Sequence, residues 1–126
     1  MADRTIQEII FELMERSSFN EFDGVRVVRG LKSSPALWEG VIMDRESFDK
    51  SVDLTKLRDI PGNLYNVDTV FIIPKKGKEN KLHNLAKKWK ADEINWIGGK
   101  TACELLGDGS DEIRANSKAI LEVWWD

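Results

Sequence analysis

The spacing of apolar residues predicts an amphipathic helix over residues 5–16. Thr5 followed by Glu8 fits a capping box, in which each side chain satisfies a free backbone amide at the helix start. Apolar residues then recur every three or four positions, namely Ile6, Ile9, Ile10, Leu13 and Met14. The opposite face carries acids and arginines and is not basic overall, which favours packing on a protein core over binding to a membrane surface.

The pattern over 25–43 predicts two strands. Residues 25–29 alternate between apolar and basic, which is typical of a strand, and 30–35 has the composition of a loop. Residues 37–43 then predict a second strand, paired antiparallel with the first because the connection is short. Asp44 is expected to cap a short helix through about Val52. A further helical turn is expected over 54–60.

The second half alternates between strands and helices. The predicted elements are a strand at 67–73, a helix at 79–90, a strand at 93–97, a helix at 101–106 ended by Gly107, a helical turn at 111–116 and a strand at 118–125. This order predicts a single α+β domain over 1–126, with α/β-like alternation in its C-terminal half. We expect a mixed β-sheet of about four to five strands with three to four helices packed on it.

Two adjacent tryptophans end the last predicted strand. Side chains alternate between the faces of a strand, so Trp124 and Trp125 must point in opposite directions. Trp125 shares its face with Leu121 and Val123, and we expect it to lie in the core. Trp124 shares its face with Glu122, and we expect that face to be an interface or a shallow site.

The predicted contact surface consists of Trp124, Glu122 and Trp96, because aromatic side chains are enriched in interface cores. If the C-terminal strand lies at a sheet edge, it would also suit pairing with a second copy of the chain. If the last two strands are neighbours, Glu122 would stand near Glu93 or Asn95. Such a group could instead bind a cation or a sugar-like ligand, although a solvent-facing sheet surface is the simpler interpretation.

Composition narrows the class of protein. The chain has 41% hydrophobic and 33% charged residues and a net charge of −3, as in a soluble globular protein. Its single cysteine excludes an internal disulfide framework and a cysteine-based zinc site. No apolar run approaches the roughly 20 residues that span a bilayer, and the N-terminus does not resemble a signal peptide. We therefore expect a cytoplasmic protein without membrane contact.

A basic island interrupts this acidic chain. Residues 74–90 hold seven lysines and one glutamate: the lysines are Lys75, Lys76, Lys78, Lys81, Lys87, Lys88 and Lys90. They could neutralise nucleic-acid phosphates, bind an acidic protein, pair within the chain or form a solvated face. Nucleic acid is disfavoured, because the island contains no arginine and the sequence pI is about 5.3.

The segment Gly98–Thr101 follows a strand and opens a helix, where backbone amides can hold an anion. Gly99, Lys100 and Thr101 match the end of a phosphate-binding loop. The full motif requires a glycine five residues before Gly99, and Ile94 stands at that position. A tight strand-to-helix turn is therefore the preferred interpretation, and a small-anion or phospho-ligand site is the alternative.

The sequence predicts no catalytic residue, metal site or cofactor. Cys103 is expected to be a core thiol, and a dyad with the single histidine, His83, is disfavoured. A calcium loop starting at Asp108 fails, because Ile113 stands where glycine is required. We therefore predict a small binding or interaction domain, with a protein partner or a second copy, rather than an enzyme. The alternatives are an anion-binding enzyme using Gly98–Thr101 and a nucleic-acid-associated protein using the basic island.

Overall fold

A four-stranded antiparallel sheet organises the computed structural model, which describes residues 4–19, 21–44, 60–63 and 68–126. The helices are α1 (Ile6–Glu15), α2 (Gly24–Ser33), α3 (Glu79–Ala86), α4 (Gly99–Leu106) and α5 (Asp111–Ala115). The strands are β1 (Ser18–Phe19), β2 (Phe22–Asp23), β3 (Trp38–Asp44), β4 (Thr69–Pro74), β5 (Glu93–Ile97) and β6 (Ile120–Trp124). Short 3₁₀ turns lie at Pro35–Leu37, Ile60–Gly62 and Lys87–Trp89.

The strand order of the sheet is β3-β4-β6-β5, and β1 and β2 form a separate short hairpin. The predicted α+β class is confirmed, and four of the five predicted strands form the sheet. The sheet is antiparallel throughout rather than mixed. The reason is the position of β6. The chain leaves β4, passes through α3 and returns as β5 in the same direction, but β6 inserts between these two strands and runs against both. The described part of the chain holds five helices, more than the three to four expected.

The main core lies on one face of the sheet, called here the inner face, and is covered by α1, α2 and α3. Leu121, Val123 and Trp125 are each 0% exposed, which confirms the expected core face of the last strand. The indole Nε1 of Trp125 donates a hydrogen bond to the backbone oxygen of Trp89 at 3.0 Å. Its ring also packs against Phe22, with 4.7 Å between the ring centroids.

The predicted strand over 25–29 is wrong, because these residues belong to helix α2. Asp23 caps the helix by accepting a hydrogen bond from the backbone N–H of Arg26 at 3.2 Å. The buried residues of α2 follow helical spacing: Gly24, Val27, Val28 and Leu31. The short run of alternating valines and arginines fits both a strand and a helix, and packing against α1 decides for the helix. The predicted loop over 30–35 is therefore also wrong in its first four residues, and β3 pairs with β4 instead.

Helix α1 forms as predicted, and both bonds of its capping box are present. Its buried stripe differs from the predicted one. Phe11 and Met14 are buried, whereas Ile6 is 80% exposed, and Ile9 and Leu13 are also exposed. The helix is rotated about its axis because it covers the edge of the sheet as well as its inner face.

Gln7 attaches α1 to the edge strand β3. Its Nε2 donates to the backbone oxygen of Val41 at 2.9 Å, and the backbone N–H of Val41 donates to its Oε1 at 2.7 Å. The amide side chain thus takes the place of one residue of a neighbouring strand. It satisfies backbone groups that would otherwise be open to pairing with another chain.

The remaining predicted elements are confirmed with small changes in their bounds. The long helix predicted over 79–90 ends as a 3₁₀ turn, and Lys90 follows in the left-handed conformation (φ 58°). Gly107 ends α4 in the same conformation (φ 68°). Most of the helical segments predicted over 44–52 and 54–60 lies outside the described residues. Asp44, the expected helix cap, is the last residue of β3, and Ile60 begins a 3₁₀ turn. Within the described ranges, no helix has the length and apolarity to cross a membrane.

Candidate functional site on the outer face of the sheet

The second face of the sheet, called here the outer face, carries alternate residues of all four strands. By the register of the strands, these residues are Gly40, Ile42 and Asp44 of β3, Thr69, Phe71 and Ile73 of β4, Ile120, Glu122 and Trp124 of β6, and Glu93, Asn95 and Ile97 of β5. Apolar side chains concentrate at one end of this face and carboxylates at the other. The outer face therefore has an apolar half and an acidic half.

Helices α4 and α5 cover only the end of the apolar half. Ala102 of α4 forms a small second core with Ala119 and Ile120. Phe71, Ile97, Leu106 and Ile113 pack against this core and are partly buried. Among the described residues, α4 and α5 thus form a second layer over this end of the outer face.

An apolar groove of about 390 Å³ lies between strands β3 and β4 and helix α4. It is lined by Gln7, Gly40, Val41, Ile42, Asp44, Phe71, Ile73, Leu105, Leu106 and Ile120. Ile42 is 53% exposed and Leu105 is 57% exposed. The groove therefore presents aliphatic side chains to solvent at a place where the fold already provides a concave surface.

Trp124 lies in the acidic half and is partly buried. It stands between Thr69 of β4 and Glu93 of β5, and Asp44 is the partner of Thr69 in β3. Glu122 lies two positions earlier, opposite Asn95, so the predicted proximity of these two residues is present. Trp124 is therefore an amphipathic ring surrounded by carboxylates.

Trp96 does not join this surface, which corrects the predicted grouping with Trp124 and Glu122. Its partner in β6 is Leu121, so its side chain lies on the inner face. Its ring contacts that of His83 at 6.2 Å between centroids, and the Nζ of Lys118 stands 5.8 Å from its centroid. Adjacent strand residues alternate between faces, so a residue next to Asn95 cannot share the face of Glu122.

The premise of self-association through the C-terminal strand is also wrong. Strand β6 lies between β4 and β5, and its backbone is paired on both sides. The two edge strands are β3 and β5, and Gln7 occupies part of the β3 edge. A terminal position in the sequence does not imply an edge position in the sheet.

The carboxylates of the outer face, as far as the structure describes them, are not arranged as a metal centre. The Nδ2 of Asn95 donates to Glu93 Oε2 at 3.3 Å, so the side chains interact along the strand. Across residues 4–19, 21–44, 60–63 and 68–126, no group of three or more His, Cys, Asp or Glu side chains is arranged to hold a metal ion.

The turn at Gly98–Thr101 packs against the chain that follows α5. A Cβ added to Gly98 would lie 2.5 Å from the backbone oxygen of Asn116, and Gly99 has a φ of 60°. The N–H of Gly99 donates to that same oxygen at 3.4 Å. Both glycines thus have a structural role. Lys100 and Thr101 are exposed, but the amide of Gly99 is already used by the fold.

The lysines of the basic island lie on and around α3. Lys78 is partly buried and the other six are exposed: Lys75, Lys76, Lys81, Lys87, Lys88 and Lys90. Burial, together with the charges of Lys87 and Lys118, lowers the pKa of His83 below its ordinary value.

Cys103 is buried on α4, which packs on the outer face of the sheet. His83 lies on α3, which packs on the inner face. The sheet therefore separates the only thiol from the only histidine.

The groove was not predicted from the sequence. Its signal was present in the three consecutive apolar residues of β3, Val41, Ile42 and Met43, which require apolar surroundings or exposure on both faces of the strand. Leu105 next to Leu106 on α4 is a second such signal. Only the position of α4 relative to β3 shows that Ile42 and Leu105 border the same groove.

Comparison of the chain with protein-family models, with curated proteins and with solved structures finds no match in any of the three. The functional assignment therefore depends on the residues and geometry of the chain itself.

Proposed function

We propose that this chain is a non-catalytic protein-interaction domain whose outer-face groove binds an apolar segment of a partner protein. The observation that carries the proposal is the groove itself, in which Ile42 and Leu105 stay more than half exposed inside a concave apolar lining. Apolar surface of this kind marks interaction sites in soluble proteins.

The chemistry of the lining defines the partner. Of the lining residues that the structure describes, Gln7 and Asp44 alone carry polar side chains, and the amide of Gln7 is engaged with the backbone of Val41. Such a surface recognises shape and apolar area rather than a pattern of hydrogen bonds. Full burial of one aliphatic side chain contributes about 1.5–3 kcal/mol, and because about half of Ile42 and of Leu105 is already buried, the two together contribute about that much to a complex.

The position of the groove favours a polypeptide ligand. Its lining includes Asp44, which belongs to the acidic half of the outer face. Thr69 stands between Asp44 and Trp124 across the strands. A partner segment that fills the groove with apolar side chains and continues over the sheet would meet an aromatic ring and carboxylates. Tyrosine and tryptophan rings are frequent anchors at protein interfaces. We therefore expect a partner segment whose apolar residues extend from the groove toward Trp124.

The test is a selection of random peptides, about 12 residues long, on the purified full chain. Peptides that bind are then compared on the wild type, on Ile42→Glu/Leu105→Glu and on the control Val25→Glu. Val25 is an exposed aliphatic residue on α2, on the other side of the sheet from the groove. Both groove residues are exposed, so the substitutions are expected to leave the fold intact, which circular dichroism checks.

The proposal predicts peptides that share apolar residues and bind at least about tenfold more weakly to the groove double variant, because a buried aliphatic contact of this size is lost. Binding to the Val25→Glu control should equal that of the wild type. Equal binding to all three proteins, or selection of no peptide with apolar residues, would contradict the proposal.

A further inference from the structure

Helices α2 and α3 form one continuous surface on the inner side of the sheet. They approach closely at Gly30, where an added Cβ would meet Trp89 Nε1 at 3.2 Å and Leu85 Cδ1 at 3.5 Å. The solvent-facing sides of the two helices are therefore neighbours. This brings residues 24–33 next to the basic island, from which they are more than forty positions away in the sequence.

This surface is strongly basic. Residues 24–33 and 75–90 together contain ten lysines and arginines and one carboxylate, Glu79. At one end of this surface, Lys76 and Glu79 line a cavity together with Glu39, Asp108 and Glu112. The cations added by α2 are Arg26, Arg29 and Lys32, all of which are exposed. The rest of the chain then carries a net charge of −12, so the small total charge hides two regions of opposite sign.

Among the described residues, the cations of this surface have few partners. Lys32 forms an ion pair with Glu15 at 3.5 Å, and this is the only ion pair that the structure gives to the ten cations within the described ranges. Glu79 forms no ion pair with these cations within the described ranges, and its carboxylate accepts the backbone N–H of Gly77 at 2.9 Å. Intramolecular pairing of the lysines with the acidic remainder, one of the interpretations open from sequence, is therefore not present in these ranges.

The clustered charge also acts on the titratable group His83. The charges of Lys87 and Lys118 contribute, after burial, to the lowered pKa of His83. Concentrated charge of one sign also raises the free energy of the folded state by self-repulsion, and a ligand of opposite charge relieves it.

We infer that the surface formed by α2 and α3 binds an acidic segment of a protein. A short acidic segment can lie entirely on this surface. A nucleic-acid duplex carries one charge per about 1.7 Å along its axis and would extend over the acidic remainder of the protein. The tryptophan of this surface, Trp89, is also buried, so its ring is not available for bases to stack on.

This surface lies on the opposite side of the sheet from the groove, and the inference does not depend on the function proposed for the groove. The experiment measures the fluorescence anisotropy of two labelled probes as the full chain is added to each. One probe is a peptide of about ten glutamates, and the other is a DNA duplex of about 20 base pairs. Each probe is titrated at about 50 mM and about 200 mM salt. The test variant is Lys81→Glu/Lys88→Glu. The control is Lys100→Glu/Arg114→Glu, which makes the same change in net charge on α4 and α5, on the outer side of the sheet.

The inference predicts that the glutamate peptide binds at low salt and more weakly at high salt. Affinity should fall at least about fivefold in the test variant, because two attractions become two repulsions, and should change less than about twofold in the control. Tighter binding of the duplex than of the peptide would overturn the inference in favour of nucleic acid. Absence of peptide binding at low salt, or an equal loss in both double variants, would overturn it as well.

Discussion

Gln7 offers the sharpest test of how this fold protects the edge of its sheet. Substitution by alanine removes two hydrogen bonds to the backbone of Val41, of 2.9 Å and 2.7 Å. Each such bond stabilises the folded state by about 0.5–1.5 kcal/mol net, so we expect Gln7→Ala to lower the free energy of unfolding by about 1–3 kcal/mol. That is a large effect for a partly exposed helix residue, where substitutions commonly change stability by less than about 0.5 kcal/mol.

Gln7→Glu separates the hydrogen bonds from the packing of the side chain, because the two residues have nearly the same shape. The carboxylate can still accept the N–H of Val41, but its second oxygen would face the backbone oxygen of Val41 and repel it. A protonated carboxyl would restore the donor. The folded state therefore raises the pKa of the introduced carboxyl group above its unfolded value, and the stabilisation by the protonated form is lost as the pH rises through that folded pKa. The deficit of the variant relative to wild type should be largest near pH ~7 and should shrink near pH ~4.

The assay is urea denaturation at both pH values, monitored by circular dichroism and by tryptophan fluorescence. Asn84→Asp, an exposed amide-to-acid change on α3, serves as the control and should stay within about 0.5 kcal/mol of wild type. The reasoning is refuted if both Gln7 variants match the stability of the wild type at pH ~7. A deficit of Gln7→Glu that does not change with pH would refute the hydrogen-bond explanation.

Three further predictions concern the core, a turn and a titrating group. Trp125→Phe removes a buried indole and its hydrogen bond to a backbone oxygen, and we expect it to lower the free energy of unfolding in urea by about 2–4 kcal/mol. Trp124→Phe should lower it by less than about 1 kcal/mol. Equal losses would contradict the assigned faces of the two residues. Gly98→Ala places a Cβ 2.5 Å from a backbone oxygen and should lower the melting temperature more than Gly107→Ala, which strains only a left-handed residue (φ 68°) with open space around it. The pKa of His83, measured by NMR, should lie below its ordinary value and should rise in Lys87→Met. Because the pKa is lower in the folded state than in the unfolded state, the stabilisation by neutral His83 is lost as the pH falls through the folded pKa.

Local sequence was sufficient where one segment contained all of the relevant information. The capping box of α1 was predicted because Thr5 and Glu8 interact with each other and with their own helix start. The end of α4 at Gly107 was predicted because a left-handed residue suits glycine. The faces of β6 followed from the alternation of side chains, which placed Trp125 in the core without knowledge of its neighbours.

The prediction failed where the pattern of one segment fits two kinds of structure. The residues of α2 alternate over a span too short to separate a period of 2 from a period of 3.6, and burial against α1 decided between them. Ile6 was expected in the core with the other aliphatic residues of α1, but it is 80% exposed. The helix instead directs Phe11 and Met14 to the core and Gln7 to strand β3.

The candidate site shows the same division. The sequence by itself determined that Trp124 and Glu122 share one face, that Trp125 lies on the other, and that the lysines of residues 75–90 form a basic island, because these properties depend on residue type and strand period alone. Only the tertiary structure decided that β6 is an internal strand, that Ile42 and Leu105 border one groove, and that the arginines of α2 join the lysines around α3. Each of these depends on contacts between residues distant in the chain, and such contacts are fixed by the packing of whole elements on the sheet rather than by any local pattern.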